Sequence, residues 1–100
     1  MSKAKHVLIV DDDPSILEVL DARLTAAGFS VHKAASGPEA LELLKTQKTD
    51  ILVSDIKMPE MSGLELLAEI RAKLPQLPVI FLTAYGTIPD AVDAVKAGAV

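Results

Sequence analysis

The sequence predicts an α/β fold, a doubly wound parallel sheet with helices on both faces. Two observations predict it. Short apolar runs rich in β-branched residues alternate four times with stretches of helical period. Three of those runs are apolar almost throughout instead of alternating, as strands buried on both faces are.

The elements follow in order. His6 to Val10 (HVLIV) reads as a buried strand, and Asp13 with Pro14 suits the N-cap and first position of a helix. Ile16, Leu20 and Leu24 repeat at helical spacing, and Gly28 stands where a helix end favours positive φ. Phe29 to Ala34 is a second, more exposed strand, and Gly37 to Leu44 opens a second helix with Ala40 and Leu44 on one face. Ile51 to Ser54 is a third strand. Leu64, Leu67, Ile70 and Leu74 mark a third helix, bounded by Pro75 and Pro78. Val79 to Leu82 is a fourth strand, and Ile88, Val92, Val95 and Ala99 mark a fourth helix. Without a repeat, linker or low-complexity tract, residues 1–100 read as one domain.

Composition narrows the function. Half of the 100 residues are apolar and 3% aromatic, so the core must be built from Leu, Ile, Val and Ala. The net charge is -4 and the ten Lys and Arg form no basic run, which argues against nucleic-acid binding. No cysteine is present, which excludes disulfides and thiolate metal sites and fits a reducing compartment; cytoplasm is the expected location. The apolar run after Lys3 and Lys5 spans only Val7 to Val10 and ends in three aspartates, so neither a signal peptide nor a membrane span is expected there.

Right-handed crossovers gather the loops at the carboxyl ends of parallel strands. Asp11 and Asp12 follow the first strand, Asp55 the third and Thr83 the fourth, so they are expected to meet in one pocket. Three neighbouring carboxylates raise one another's pKa unless a counter-charge is present. Mg²⁺, a hard cation with oxygen ligands, supplies one and leaves a carboxylate free to attack phosphorus and form an acyl phosphate. The Thr83 hydroxyl would then donate to a phosphoryl oxygen.

LIVDDDPSILEVL, ILVSDIKMPEMSGLELL and VIFLTAYGTIPDAVDAVKAGA resemble three consecutive blocks of the bacterial two-component response-regulator receiver domain, the CheY-like family of flavodoxin-like sheets. The resemblance implies a strand order of 2-1-3-4 here. It implies that Asp55 is the phospho-acceptor and that Asp12, Asp55 and the backbone carbonyl of Lys57 ligate Mg²⁺, with Asp11 acting through water. Thr83 matches the switch hydroxyl, and Gly63 lies in the turn that opens the third helix. Lys57 and Tyr85 flank the pocket, where they either tune water access or stand as solvated surface. The implied partners are a sensor histidine kinase and, in a longer protein, an output domain. TAYGTIPDAVDAVKAGA further resembles receivers attached to enhancer-binding transcriptional activators. Such a domain is a phospho-acceptor signalling module, not a conventional enzyme, although family members catalyse their own phosphoryl transfer and dephosphorylation.

The family continues with a fifth strand ending in Lys-Pro and a fifth helix, and no counterpart follows Val100 in this sequence. A receiver incomplete at its C-terminus is therefore expected, lacking the lysine that bridges to the phosphoryl group. A second reading is a phosphorylation-incompetent structural or oligomeric pseudo-receiver. A third is an aspartyl-nucleophile phosphatase or phosphotransferase of the haloacid-dehalogenase kind, whose two-residue Asp spacing Asp11 and Asp13 reproduce; 100 residues leave little room for its substrate cap. With no fifth strand, Val79 to Leu82 becomes an edge, which predicts either self-association through the fourth strand or a fourth helix displaced to cover the gap. His6 and His32 have no ligand spacing with any partner and read as surface strand residues.

Overall fold

The computed structural model describes residues 4–82 and 88–98. The chain runs β1 (His6–Val10), α1 (Pro14–Ala26), β2 (Ser30–Ala34), α2 (Gly37–Thr46), β3 (Ile51–Ser54), α3 (Gly63–Lys73), β4 (Val79–Phe81) and α4 (Ile88–Gly98). The strands form one sheet in the order β2-β1-β3-β4, all neighbours parallel, as expected.

Helix ends are set by local chemistry. Asp13 caps α1, its side chain accepting from the Ser15 backbone N–H, and Pro14 occupies the first turn, where its missing N–H costs nothing. At the other end Gly28 has φ +99, so only glycine enters the turn unstrained. Ser36 caps α2. Ser62 and Glu65 form a reciprocal capping box on α3.

Alternation along the strands sends side chains to two cores. Val7 and Ile9 of β1 and Ile51 and Val53 of β3 pack with Leu17, Leu20 and Leu24 of α1 and Val92 and Val95 of α4. Leu8, Val10 and Leu52 face the opposite way, onto Ala40, Leu66, Ile70 and Leu77. Each fully buried Leu or Ile contributes roughly 1.5–3 kcal/mol relative to an exposed one.

The third helix forms as expected, and burial adds detail there and at the two histidines. In α3 the buried positions are Gly63, Leu66 and Ile70, whereas Leu64 is 58% exposed and Leu74, beyond the helix, 40%. The leucine-rich stretch satisfies two helical templates, and the close seat of Gly63 on the loop after β3 selects between them. The histidines are half-buried instead of free surface groups: His6 and His32, diagonal neighbours on β1 and β2, stack with centroids 6.2 Å apart.

β4 lies at a sheet edge, and its three residues are half-buried. α4 packs against α1, β3 and β4, with Val92 and Val95 buried beside Leu17 and Leu24.

Candidate functional site

Sheet register builds the site. Val10 pairs with Ser54 and Ala34, so the next residue of β1 and the next of β3 emerge side by side at the carboxyl edge. The ladder continues one step past the strands: Asp11 N–H donates to the Ala34 carbonyl and Asp55 N–H to the Val10 carbonyl, both at 3.1 Å. One carboxylate oxygen from each of Asp11, Asp12 and Asp55 lies within 4.8 Å of the other two. Three residues from two strand ends, 44 apart in sequence at the widest, thus share one pocket.

Their surroundings differ. Asp11 is 4% exposed, Asp55 is half-buried and Asp12 is exposed. Burial pushes the Asp11 carboxyl up to about 6; the charges of Asp55 and Asp12 act in the same direction, and the Asp13 backbone N–H, donating to Asp11 Oδ1 at 2.9 Å, opposes them. Among the described residues no salt bridge reaches these three carboxylates, and three converging hard oxygen donors fit a divalent ion such as Mg²⁺, because they match its ligand preference and their mutual repulsion is what its charge would relieve.

The Asp55 carboxylate is oriented by its own loop. Ile56 N–H donates to Asp55 Oδ1 at 2.7 Å, and the Ser54 hydroxyl donates to the Asp55 carbonyl at 2.8 Å. Gly63 N–H donates to the Ile56 carbonyl at 2.7 Å, and a Cβ on Gly63 would overlap the Asp55 carbonyl oxygen. The turn between them passes through Glu60, whose φ of 68 places a non-glycine residue in the left-handed region. Met58 and Met61 anchor this loop on the α2–α3 core. Lys57 lies in the same loop with an exposed side chain.

The structure therefore brings together Asp11, Asp12 and Asp55, with Lys57 two residues from Asp55. Thr83 and Tyr85 lie outside the described residues. Sequence reasoning passed over Ser54 and the Asp13 N–H. Ser54 carried a readable signal, a hydroxyl closing an otherwise apolar buried strand; the Asp13 contact is made by backbone and carried none.

The family model described as "Response regulator receiver domain" matches residues 7–100. The chain is 51% identical over 96 residues to the transcriptional regulatory protein GlrR of Escherichia coli K12, an alignment covering 96% of this chain and 22% of that protein. It thus spans about a fifth of the length of that relative. Among solved structures, the response regulator TrrA of Thermotoga maritima in complex with Mg²⁺ and BeF is 39% identical with a TM-score of 0.74, over 77% of this chain and 67% of that one. The histidine kinase ThkA in complex with the response regulator TrrA gives 41% identity and a TM-score of 0.76, over 83% and 72%.

Proposed function

This chain belongs to the response regulator receiver domain family, and on that premise we propose that Asp55 is its phospho-acceptor, served by Mg²⁺ held between Asp11, Asp12 and Asp55. The observation that carries the reading is the convergence of three carboxylates on one pocket at the strand ends. An oxygen of Asp55 attacks phosphorus as the bond from phosphorus to the donor breaks, leaving an acyl phosphate on the carboxylate. Ile56 N–H donates to Oδ1 of Asp55, so Oδ2 is the attacking oxygen in this reading. Bound Mg²⁺ would offset the charge of the carboxylates and the incoming phosphoryl group, with Asp12, Asp55 and the Lys57 carbonyl as direct ligands and Asp11 acting through water. Thr83, which follows Leu82 in sequence, supplies the switch hydroxyl in this reading. Lys57 and Tyr85 tune water access to the acyl phosphate.

The donor we assign is a sensor histidine kinase, in keeping with the complex of ThkA with the regulator TrrA. The transcriptional regulators that the chain resembles are several times its length, so the output we assign is a separate domain of a longer protein acting in transcription. No described helix is long and apolar enough to cross a membrane. A cytoplasmic setting suits a domain loaded by such a kinase. Incubation with acetyl phosphate and Mg²⁺, read by intact mass, tests the assignment: one phosphoryl group is expected on the chain and none on Asp55→Asn. Equal labelling of the two would refute it.

A further inference from the structure

Ser54 closes β3 as a fully buried hydroxyl in a strand whose other residues are Ile51, Leu52 and Val53. Burying a hydroxyl is unfavourable unless its bond compensates, and alanine would fill the same space without that cost. The bond's destination is therefore informative. Ser54 Oγ donates to the Asp55 carbonyl, and the N–H at the other end of that same peptide unit, that of Ile56, donates to the Asp55 carboxylate. One planar peptide group thus has its oxygen held by Ser54 and its hydrogen aimed at the nucleophile.

Taking Asp55 as the phospho-acceptor, we infer that Ser54 is a positioning residue for phosphoryl transfer, locking the Asp55–Ile56 peptide so that the Ile56 N–H fixes which carboxylate oxygen faces the pocket. The other side of the unit is already clamped. Gly63 packs on the Asp55 carbonyl with no room for a side chain, and its N–H holds the Ile56 carbonyl. On the strand side, where the site is closed to water, the Ser54 hydroxyl opposes rotation of the peptide: Ser54 is 0% exposed. Without the hydroxyl the peptide can tilt, the Ile56 N–H loses alignment with Oδ1, and Asp55 samples orientations in which neither oxygen points at phosphorus.

The test compares wild type, Ser54→Ala and Ser54→Thr, with acetyl phosphate and Mg²⁺ as probes. In Ser54→Ala the labelling rate at saturating donor and Mg²⁺ should fall about tenfold, since small losses of alignment at a reacting group have effects of that order or larger. The Mg²⁺ affinity should fall less than the labelling rate, because Asp11, Asp12 and the Lys57 carbonyl still hold the ion while Asp55 turns. The Ile56 amide proton, followed by NMR in the unphosphorylated protein, should shift upfield as its bond to the carboxylate weakens, and Ser54→Thr should restore both readouts. Labelling of Ser54→Ala at the wild-type rate, or an unmoved Ile56 amide, would overturn the inference. If wild type takes no phosphoryl group on Asp55, the phospho-acceptor reading fails; the Ile56 amide still decides the lock, since that signal needs no phosphorylation.

Discussion

The backbone N–H of Asp13 donates to Oδ1 of Asp11 at 2.9 Å, while the Asp13 side chain accepts from Ser15 N–H, so one residue caps α1 and braces the acidic pocket. The brace does not cancel the effect of burial, and the Asp11 carboxyl stands at about 6. An acid whose pKa is higher folded than unfolded binds more protons in the folded state between the two values. Its contribution therefore falls as pH rises from about 4 to about 6. Without divalent cations, wild type should lose about 1–3 kcal/mol relative to Asp11→Asn over that interval, the difference cancelling the other carboxylates. Urea denaturation of both proteins from pH 4 to 7 measures it. Parallel stability profiles would mean that Asp11 carries no such strain.

Mg²⁺ should reverse this penalty above pH 6. Binding to the folded state alone stabilises by about 2.7 kcal/mol at a hundredfold excess over Kd. Asp12→Asn replaces one of the three converging carboxylates with a neutral amide and should weaken Mg²⁺ binding by about tenfold or more. Calorimetric titration checks this, and unchanged affinity in the variant would remove Asp12 from the ligand set.

Glu60 adopts φ 68 in the turn between Asp55 and α3. A left-handed backbone costs a residue with a Cβ roughly 1–2 kcal/mol, and glycine gives back part of the gain through its greater freedom when unfolded. Glu60→Gly should therefore raise stability by about 0.5 kcal/mol in urea titration. Destabilisation by the change would show that the turn is relaxed at Glu60.

Gly63 and Gly37 are both buried and both crowded, but by different atoms. The nearest atoms to a Cβ at Gly63 are the backbone of Asp55 and Ile56, whereas at Gly37 they are the Sδ, Cβ and Cγ of the Met61 side chain. Backbone cannot yield locally and a thioether can. Gly63→Ala should cost about 1–3 kcal/mol and slow labelling of Asp55, and Gly37→Ala distinctly less. Equal costs would show that Met61 is as rigid as the loop.

The order of elements, the parallel sheet and the acidic pocket were legible because they rest on local pattern: apolar runs such as Val7–Val10 and Ile51–Val53, the Asp13–Pro14 helix start, and aspartates directly after strands. The buried face of α3 was not, because Leu64, Leu66, Leu67, Ile70 and Leu74 support more than one helical stripe and a backbone contact at Gly63 chooses. Nor was the stacking of His6 on His32, which depends on the register of β1 with β2. Ser54 and the left-handed Glu60 act through backbone geometry, which side-chain identity reports only indirectly.

Acyl-phosphate trapping shows whether Asp55 itself carries the phosphoryl group. The chain is loaded with acetyl phosphate in Mg²⁺, treated with hydroxylamine, digested and mapped by mass spectrometry. A hydroxamate is expected at Asp55, lost when Mg²⁺ is chelated before loading and absent from Asp55→Asn. A phosphoryl group that resists hydroxylamine, or a hydroxamate confined to Asp11 or Asp12, would contradict it.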